Sequence, residues 1–163
     1  PWICHGYHAL ALDETRSVYA PVLWETPDGF NGRVEQVWFR GTHGDLGGQL
    51  GGFEAARPLA NIPFRWIMER LEAHGVALPE GWQARFPTDP RAPSVGTWRG
   101  WSKLFLLRQR RVVGRDSSER LHETVQDSEL DLPATALQVQ TASQRTNFHA
   151  GSDQEQEHHK ASP

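Results

Sequence analysis

The most informative run of residues is Val34-Glu35-Gln36-Val37-Trp38-Phe39-Arg40-Gly41-Thr42-His43-Gly44-Asp45-Leu46-Gly47-Gly48. Its first six residues are rich in β-branched and aromatic side chains and end in consecutive apolar residues, which predicts a strand buried on both faces in a parallel sheet. The glycines that follow allow the backbone to turn sharply and end that strand. His43 therefore comes just past the carboxyl end of a central strand, where open α/β sheets bind their ligands.

The segments on either side of this run carry helix signals. Residues 7–16 contain repeated alanine and leucine, which favour helix, so we expect the end of a helix there. Farther along the chain, apolar residues recur at helical spacing, namely Leu59, Ile62, Trp66, Ile67 and Leu71. For this second helix we expect Asn61 as the N-cap, Pro63 in the first turn and Gly75 as the residue that ends it.

Length and composition limit the class of protein. The chain has 163 residues, which is room for one domain and one core. Its formal net charge of -3 argues against a dedicated nucleic-acid binder. No run approaches the roughly 20 apolar residues of a membrane-spanning helix. A single cysteine excludes an internal disulfide framework and a cysteine-rich zinc site.

The two ends of the chain differ in character. The chain opens with Pro1, and its single methionine is Met68, so we expect a piece of a longer protein or a processed product. We expect one domain over residues 1–127. Residues 128–163 are polar and contain few apolar side chains, which predicts a disordered tail, including His158 and His159.

Three residues are candidates for chemistry. The imidazole of His43 can act as a general base because its pKa lies near working pH, although a loop histidine can also cap a backbone carbonyl. Asp45 can orient that imidazole or tie the loop by accepting hydrogen bonds from backbone N–H groups. Asp13 can serve as the acid of a triad, cap the end of its helix, or pair with Arg16.

Residues 38–48 resemble the histidine motif of an α/β-hydrolase family that includes the catalytic domain of type VI secretion phospholipase effectors. Three further segments resemble that family in the same order along the chain, namely residues 7–14, 59–68 and 121–125. The resemblance spans residues 3–126. It implies the C-terminal part of an α/β-hydrolase-like domain, with three layers and a mostly parallel sheet.

The resemblance also implies a Ser-Asp-His triad that hydrolyses carboxylic esters, with His43 as the base and the family's acid in an upstream segment. Asp45 is a second candidate at the site because it lies two residues after His43. It implies a lipid or other ester substrate, no cofactor and no metal. An immunity protein or a secretion-system component is the implied protein partner. The protein is then cytoplasmic, or delivered by a secretion system without a signal peptide.

The chain departs from the family's pattern in several places. It has no Gly-x-Ser-x-Gly elbow, and Ser94 lacks the first glycine, so we expect the nucleophile upstream and this chain alone to be inactive. The alternative is a degenerate, non-catalytic module that binds a partner protein or a lipid. Arg40 replaces a small residue of the motif. The basic run from Arg108 to Arg115 can face anionic headgroups, form a solvated helix face, or pair with Asp116 and Glu119.

Overall fold

A computed structural model of the chain describes residues 4–27, 29–30, 33–99 and 103–125. Within these residues, three parallel strands form one sheet in the order β1-β2-β3. The strands are β1 (His5–Ala11), β2 (Arg33–Phe39) and β3 (Glu119–Leu121). In the central strand, Val37 lies opposite Ala9 of β1 and Arg120 of β3. The buried parallel strand predicted at residues 34–39 is therefore confirmed.

The helix expected to end within residues 7–16 is wrong, because these residues form β1 and the turn that follows it. Pairing with β2 places Leu10 in the core beside Trp38, while Tyr7 and Ala9 pack on the opposite face of the sheet. Burial of alternate side chains on two faces requires an extended strand. Tertiary packing therefore overrides the helical preference of alanine and leucine in this segment.

Within the described residues, two α-helices follow the central strand. Helix α1 (His43–Leu46) is a single turn, and α2 (Arg57–Ala73) is the main helix. The larger elements are connected by short 3-10 helices, among them Ser17–Tyr19, Glu54–Ala56, Trp82–Arg85 and Glu123–Val125.

Helix α2 begins five residues earlier than the sequence predicted. Pro58, rather than Pro63, lies in its first turn, and Pro63 lies inside the helix. Asn61 is not the N-cap, since it is buried within the helix and its side-chain amide donates a hydrogen bond to the carbonyl of Pro87 at 2.8 Å. Gly75 has a φ of 87° just after the C-cap His74, so the predicted end of the helix is confirmed.

The sheet buries both of its faces. On one face, Val37 and Phe39 pack against Leu59, Ile62 and Trp66 of α2. On the other face, residues of the strands pack against side chains from irregular segments; this cluster comprises Leu10, Trp38, Val113, Leu121 and Val125. The arrangement is consistent with the predicted α/β class. The second helical layer that we expected is not present in the described residues, because irregular segments cover that face instead.

The domain boundary predicted at residue 127 and the predicted tail lie outside the described residues. Residues 126–163, with His158 and His159, are not among the described ones. The described part of the chain contains no helix with the length and apolar character needed to cross a bilayer.

A buried glutamine fixes the loop before β2 to the sheet. Gln36 is fully buried in the middle of the central strand. Its side-chain amide donates to the carbonyl of Trp24 at 2.8 Å and to the hydroxyl of Ser118 at 3.0 Å, and it accepts from the backbone N–H of Trp24 at 2.8 Å. One side chain thus replaces a neighbouring strand as hydrogen-bond partner for an irregular segment.

We predict that Gln36→Leu lowers the free energy of unfolding by about 2 to 4 kcal/mol, because both backbone groups of Trp24 lose their partner. Urea denaturation measures the change. Gln109→Leu is the matched control, since Gln109 is exposed and its replacement should change stability by no more than about 0.5 kcal/mol. An equal effect of both substitutions would contradict the assigned role of Gln36.

Candidate functional site

The turn after the central strand is held by three carboxylates. Three consecutive backbone N–H groups each donate a hydrogen bond to a different one. Gly41 donates to Asp13 at 2.7 Å, Thr42 donates to Asp45 at 2.7 Å, and His43 donates to Glu14 at 3.1 Å. Hydrogen bonds to ionised acceptors are stronger than those between neutral groups. The backbone of His43 is therefore fixed at the carboxyl edge of the sheet, where the sequence predicted it.

Asp45 is fully buried and uses both carboxylate oxygens to join the turn to a distant loop. One oxygen accepts from the N–H of Thr42 and from its hydroxyl at 2.9 Å, and also from the hydroxyl of Ser94 at 2.6 Å. The other oxygen accepts from the N–H of Val95 at 2.9 Å. In the described residues Asp45 makes no hydrogen bond to the ring of His43. Of the two roles considered for Asp45, this geometry is that of a residue that ties the loop.

Glu14 forms a buried ion pair with Arg16. The guanidinium donates from Nε to one carboxylate oxygen at 2.8 Å and from Nη2 to the other at 2.6 Å. Burial alone would raise the pKa of Glu14, but the hydrogen bonds from Arg16 and from the N–H of His43 outweigh it and lower that pKa. The carboxylate therefore stays ionised in the folded protein and holds the histidine backbone.

Asp13 connects the ends of β1 and β2. Its carboxylate accepts from the N–H of Gly41, and its own N–H donates to the carbonyl of Gly41 at 3.1 Å. Burial raises the pKa of Asp13 above its ordinary value, although the hydrogen bond from Gly41 opposes this shift. The expected helix cap and the expected pairing with Arg16 are both wrong, because the segment is a strand and Glu14 takes Arg16.

The ring of His43 is exposed and stacks on the ring of Tyr19. The two ring centroids lie 4.5 Å apart with 20° between the planes. The guanidinium carbon of Arg16 lies 4.3 Å from the centroid of Tyr19, so the pair that fixes the His43 backbone also supports the ring beneath its side chain. Within the described part of the chain, the His43 ring has no hydrogen-bond partner. Its nitrogens are therefore accessible to a reacting group.

A second histidine follows β3 at the same edge of the sheet. The ring of His122 stacks on Phe39 at 4.5 Å between centroids, and its Nδ1 lies 2.9 Å from the hydroxyl of Thr124. Burial lowers the pKa of His122, which favours the neutral imidazole. These contacts give His122 a packing role beside the core.

Arg40, the residue that departs from the family motif, braces the loop that carries Ser94. Its guanidinium donates to the carbonyls of Pro90 at 2.9 Å and Ala92 at 2.7 Å. The loop is therefore fixed twice, by Arg40 and by Asp45.

The basic run does not form the expected helix face. Arg111 is buried and donates to the carbonyls of Arg16 and Tyr19, both at 2.9 Å. Arg108 donates to the carbonyl of Thr97 at 3.2 Å and lies over the ring of Trp98. Arg108 also donates to the hydroxyl of Thr15 at 3.3 Å. Neither arginine forms the expected ion pair with Asp116 or Glu119 in the described residues.

The acidic residues near this run have other donors. Glu119 is buried and accepts from the N–H groups of Arg115 and Asp116 and from the indole of Trp38. The carboxylate of Asp116 accepts from Thr26 and Ser118, and these hydrogen bonds outweigh burial and lower its pKa. Both carboxylates therefore organise backbone rather than neutralise the arginines.

Sequence reasoning missed Glu14 as a site residue. The residue sits beside Asp13 on the segment mistaken for a helix, and its partners Arg16 and His43 lie 2 and 29 positions away. No local pattern connects a glutamate with a backbone N–H so far along the chain. In the described residues, no cluster of three histidine, cysteine or acidic side chains could hold a metal ion.

A family model matches the first part of the chain. Residues 1–70 match the family model described as T6SS, Phospholipase effector Tle1-like, catalytic domain. The match contains β1, β2, the three carboxylates and most of α2. Among curated proteins and solved structures, none matches the chain.

We predict opposite effects for two isosteric substitutions. Glu14→Gln should destabilise the protein at pH 7 by about 3 to 5 kcal/mol, since it leaves Arg16 buried without a counter-charge. Because the folded pKa of Glu14 is lowered, its contribution is complete above the unfolded pKa of about 4.3 and is lost as pH falls through the folded value. The difference from wild type should therefore shrink in acid.

Asp13→Asn should show the reverse trend. The raised folded pKa of Asp13 means that stability is lost as pH rises from its unfolded value of about 3.9 through the folded one. The asparagine variant, which keeps the acceptor for Gly41, should gain stability relative to wild type as pH rises. Urea denaturation from pH 3 to pH 8 measures both trends, and parallel curves for the two variants would refute the assignment.

We also predict that Gly41→Ala destabilises the turn more than Gly51→Ala. Both glycines have positive φ, at 113° and 57°, so both substitutions carry a backbone cost of about 1 to 2 kcal/mol. At Gly41 the new Cβ also lies 2.9 Å from the Cβ of Asp45, whereas at Gly51 nothing lies within 4 Å. Thermal unfolding should show the larger loss for Gly41→Ala, and equal losses would contradict the packing of the turn.

Proposed function

We propose that this chain supplies the catalytic histidine of a serine-type carboxylic-ester hydrolase that acts on phospholipids. The observation that carries the proposal is the exposed His43 ring on a backbone fixed at the carboxyl edge of a parallel sheet. The matched family model supports the substrate class, since it describes the catalytic domain of phospholipase effectors. The parallel sheet with α2 on one face is compatible with an α/β-hydrolase-like domain, of which these residues would form the C-terminal part.

In this mechanism His43 acts as general base and then as general acid. Its free ring nitrogen takes the proton of a serine hydroxyl as the serine oxygen attacks the ester carbonyl carbon. The same nitrogen then gives the proton to the leaving alcohol as the ester C–O bond breaks, and a water repeats the sequence on the acyl-enzyme. Fixing the backbone of His43 limits the motion of the imidazole to its two side-chain torsions, which favours a productive geometry.

The nucleophile and the triad acid would come from the part of the protein that precedes residue 1. Ser94, the described serine that was compared with the nucleophile of the family, donates its hydroxyl to Asp45 and not to His43. Asp45 and Glu14 act in this proposal as positioning residues, because both hold backbone N–H groups of the His43 turn. No cofactor enters the mechanism.

The matched family model also supports a proposal about delivery and protein partners. As part of a type VI secretion effector, it would be delivered by the secretion system, and its protein partners would be components of that system or an immunity protein. The alternative is a non-catalytic module that has kept the fold and binds a partner protein or lipid. The absence of a serine partner for His43 in the described residues is the observation that favours this alternative.

The test uses the longer protein encoded together with this chain, and it measures fatty-acid release from phospholipid vesicles. His43→Ala should lower the rate by a factor on the order of 10² to 10⁴, as expected for loss of a general base. His74→Ala is the matched control, because His74 contacts Tyr7 at the amino end of β1 and should leave the rate unchanged.

Two further results decide between the proposal and its alternative. The 163-residue chain alone should release no fatty acid above the rate of a buffer blank. If the longer protein is also inactive, the non-catalytic alternative is favoured. If it is active and His43→Ala retains full activity, His43 is not the base.

A further inference from the structure

Five large apolar side chains stand out into solvent next to the site. Val18, Trp98, Leu104, Leu106 and Leu107, here called the apolar ridge, are each between 60% and 77% exposed. A single exposed apolar residue is ordinary on a protein surface. A contiguous set of this size marks a surface that another molecule covers.

Backbone and ring contacts join parts of the apolar ridge. Ser17 donates its N–H to the carbonyl of Leu107 at 3.0 Å, and Gln109 donates to the carbonyl of Thr15 at 2.7 Å, so residues 107–109 run antiparallel beside residues 15–17. Trp98 joins them through Arg108, whose guanidinium lies 4.1 Å from its ring centroid. These contacts hold the backbone of Leu107 beside Ser17, the neighbour of Val18, and place Trp98 against Arg108.

The apolar ridge adjoins the exposed imidazole. Tyr19 meets the ring of Phe105 at 5.9 Å between centroids, and it stacks on His43 at 4.5 Å. A molecule that covers the ridge therefore lies beside the ring that the proposed reaction uses. This placement suits a substrate that is part of the molecule covering the apolar ridge.

Positive charge flanks the ridge. Lys103 precedes Leu104, Arg110 follows Leu107 by three residues, and both are exposed. Arg108 lies between these two residues in the sequence, and its guanidinium lies over the Trp98 ring. Apolar tips with a tryptophan and flanking cations match the chemistry of a bilayer surface, where hydrocarbon lies just beneath anionic headgroups.

We infer that the apolar ridge docks on the surface of a bilayer that contains anionic phospholipids. Leucine side chains at positions 104, 106 and 107 would enter the acyl region, Trp98 would lie at the headgroup level, and Lys103 and Arg110 would contact phosphate. Docking would bring the ring of His43 close to the ester groups of the phospholipids. This consequence of docking rests on the proposed function. Binding itself requires no ester cleavage, so the two can fail separately.

The experiment measures sedimentation of the full 163-residue chain with phosphatidylcholine vesicles that contain, or lack, phosphatidylglycerol. The wild-type chain should bind the anionic vesicles more tightly than the neutral ones. Leu106→Asp and Leu107→Asp should each lower the partition coefficient by about 10-fold or more, since each removes a leucine from hydrocarbon and adds a charge near anionic lipid. Lys103→Gln should lower it by about 5-fold on anionic vesicles only.

A control isolates the ridge. Val76→Asp replaces an exposed valine just past the end of α2 and should bind like wild type. Val76 follows His74 by two residues, and His74 contacts His5 at the amino end of β1, opposite the edge that carries His43. Near-UV circular dichroism confirms that each variant is folded, which is expected because the substituted side chains are exposed.

Three results would overturn the inference. The first is that the wild-type chain fails to bind anionic vesicles. The second is that the wild-type chain binds and the ridge variants bind equally well. The third is that the wild-type chain binds no vesicles and is a dimer by sedimentation equilibrium, which Leu106→Asp converts to a monomer. The last result would assign the apolar ridge to contact between copies of this chain.

Discussion

Three consecutive N–H groups, bound to three different carboxylates, are the constraint on which the candidate site depends. A turn at the end of a buried strand has backbone donors that no neighbouring strand can satisfy. Here Asp13 and Glu14 arrive from the end of β1, and Asp45 arrives from α1, so each donor finds an acceptor from a fixed element. Since the carboxylates belong to both sides of the turn, the position of His43 follows from the pairing of β1 with β2.

The three acids are held by different means. Glu14 has the guanidinium of Arg16, whereas Asp45 has only hydrogen bonds from backbone and hydroxyl groups. Asp13 has fewer partners and is the acid whose pKa burial raises. A buried carboxylate destabilises the folded protein unless it is paired or fully hydrogen-bonded. The conformation of the turn therefore depends on the particular partners of each acid. The same network reaches the Ser94 loop through Asp45 and Tyr19 through Arg16.

The parts of this architecture that rest on local pattern could be predicted. The strand at residues 34–39 was found because its apolar residues are consecutive, and the end of α2 was found because Gly75 follows a helical run. The start of α2 was misplaced because two prolines suit a first turn, and packing of Leu59 and Ile62 selects the earlier one. Strand β1 was missed because its composition favours helix and only its pairing with β2 makes it extended.

The residues of the motif were predicted as site residues, but the contacts that hold His43 in place were not. His43 and Asp45 lie within the motif itself, so their spacing was visible. Glu14 and the stacking of Tyr19 on His43 depend on the fold, since these contacts cross 29 and 24 positions of sequence. The role of Arg111 was likewise hidden, because a buried arginine that serves backbone carbonyls has no signature that separates it from a solvated one.

Amide hydrogen exchange, measured residue by residue by NMR, tests the central claim most directly. If the carboxylates hold the turn, the N–H groups of Gly41, Thr42 and His43 exchange as slowly as those of the central strand. Exchange of these three groups as fast as that of the exposed Gly51 and Gly52 would contradict the account, because it would mean that the backbone of His43 is not held at all.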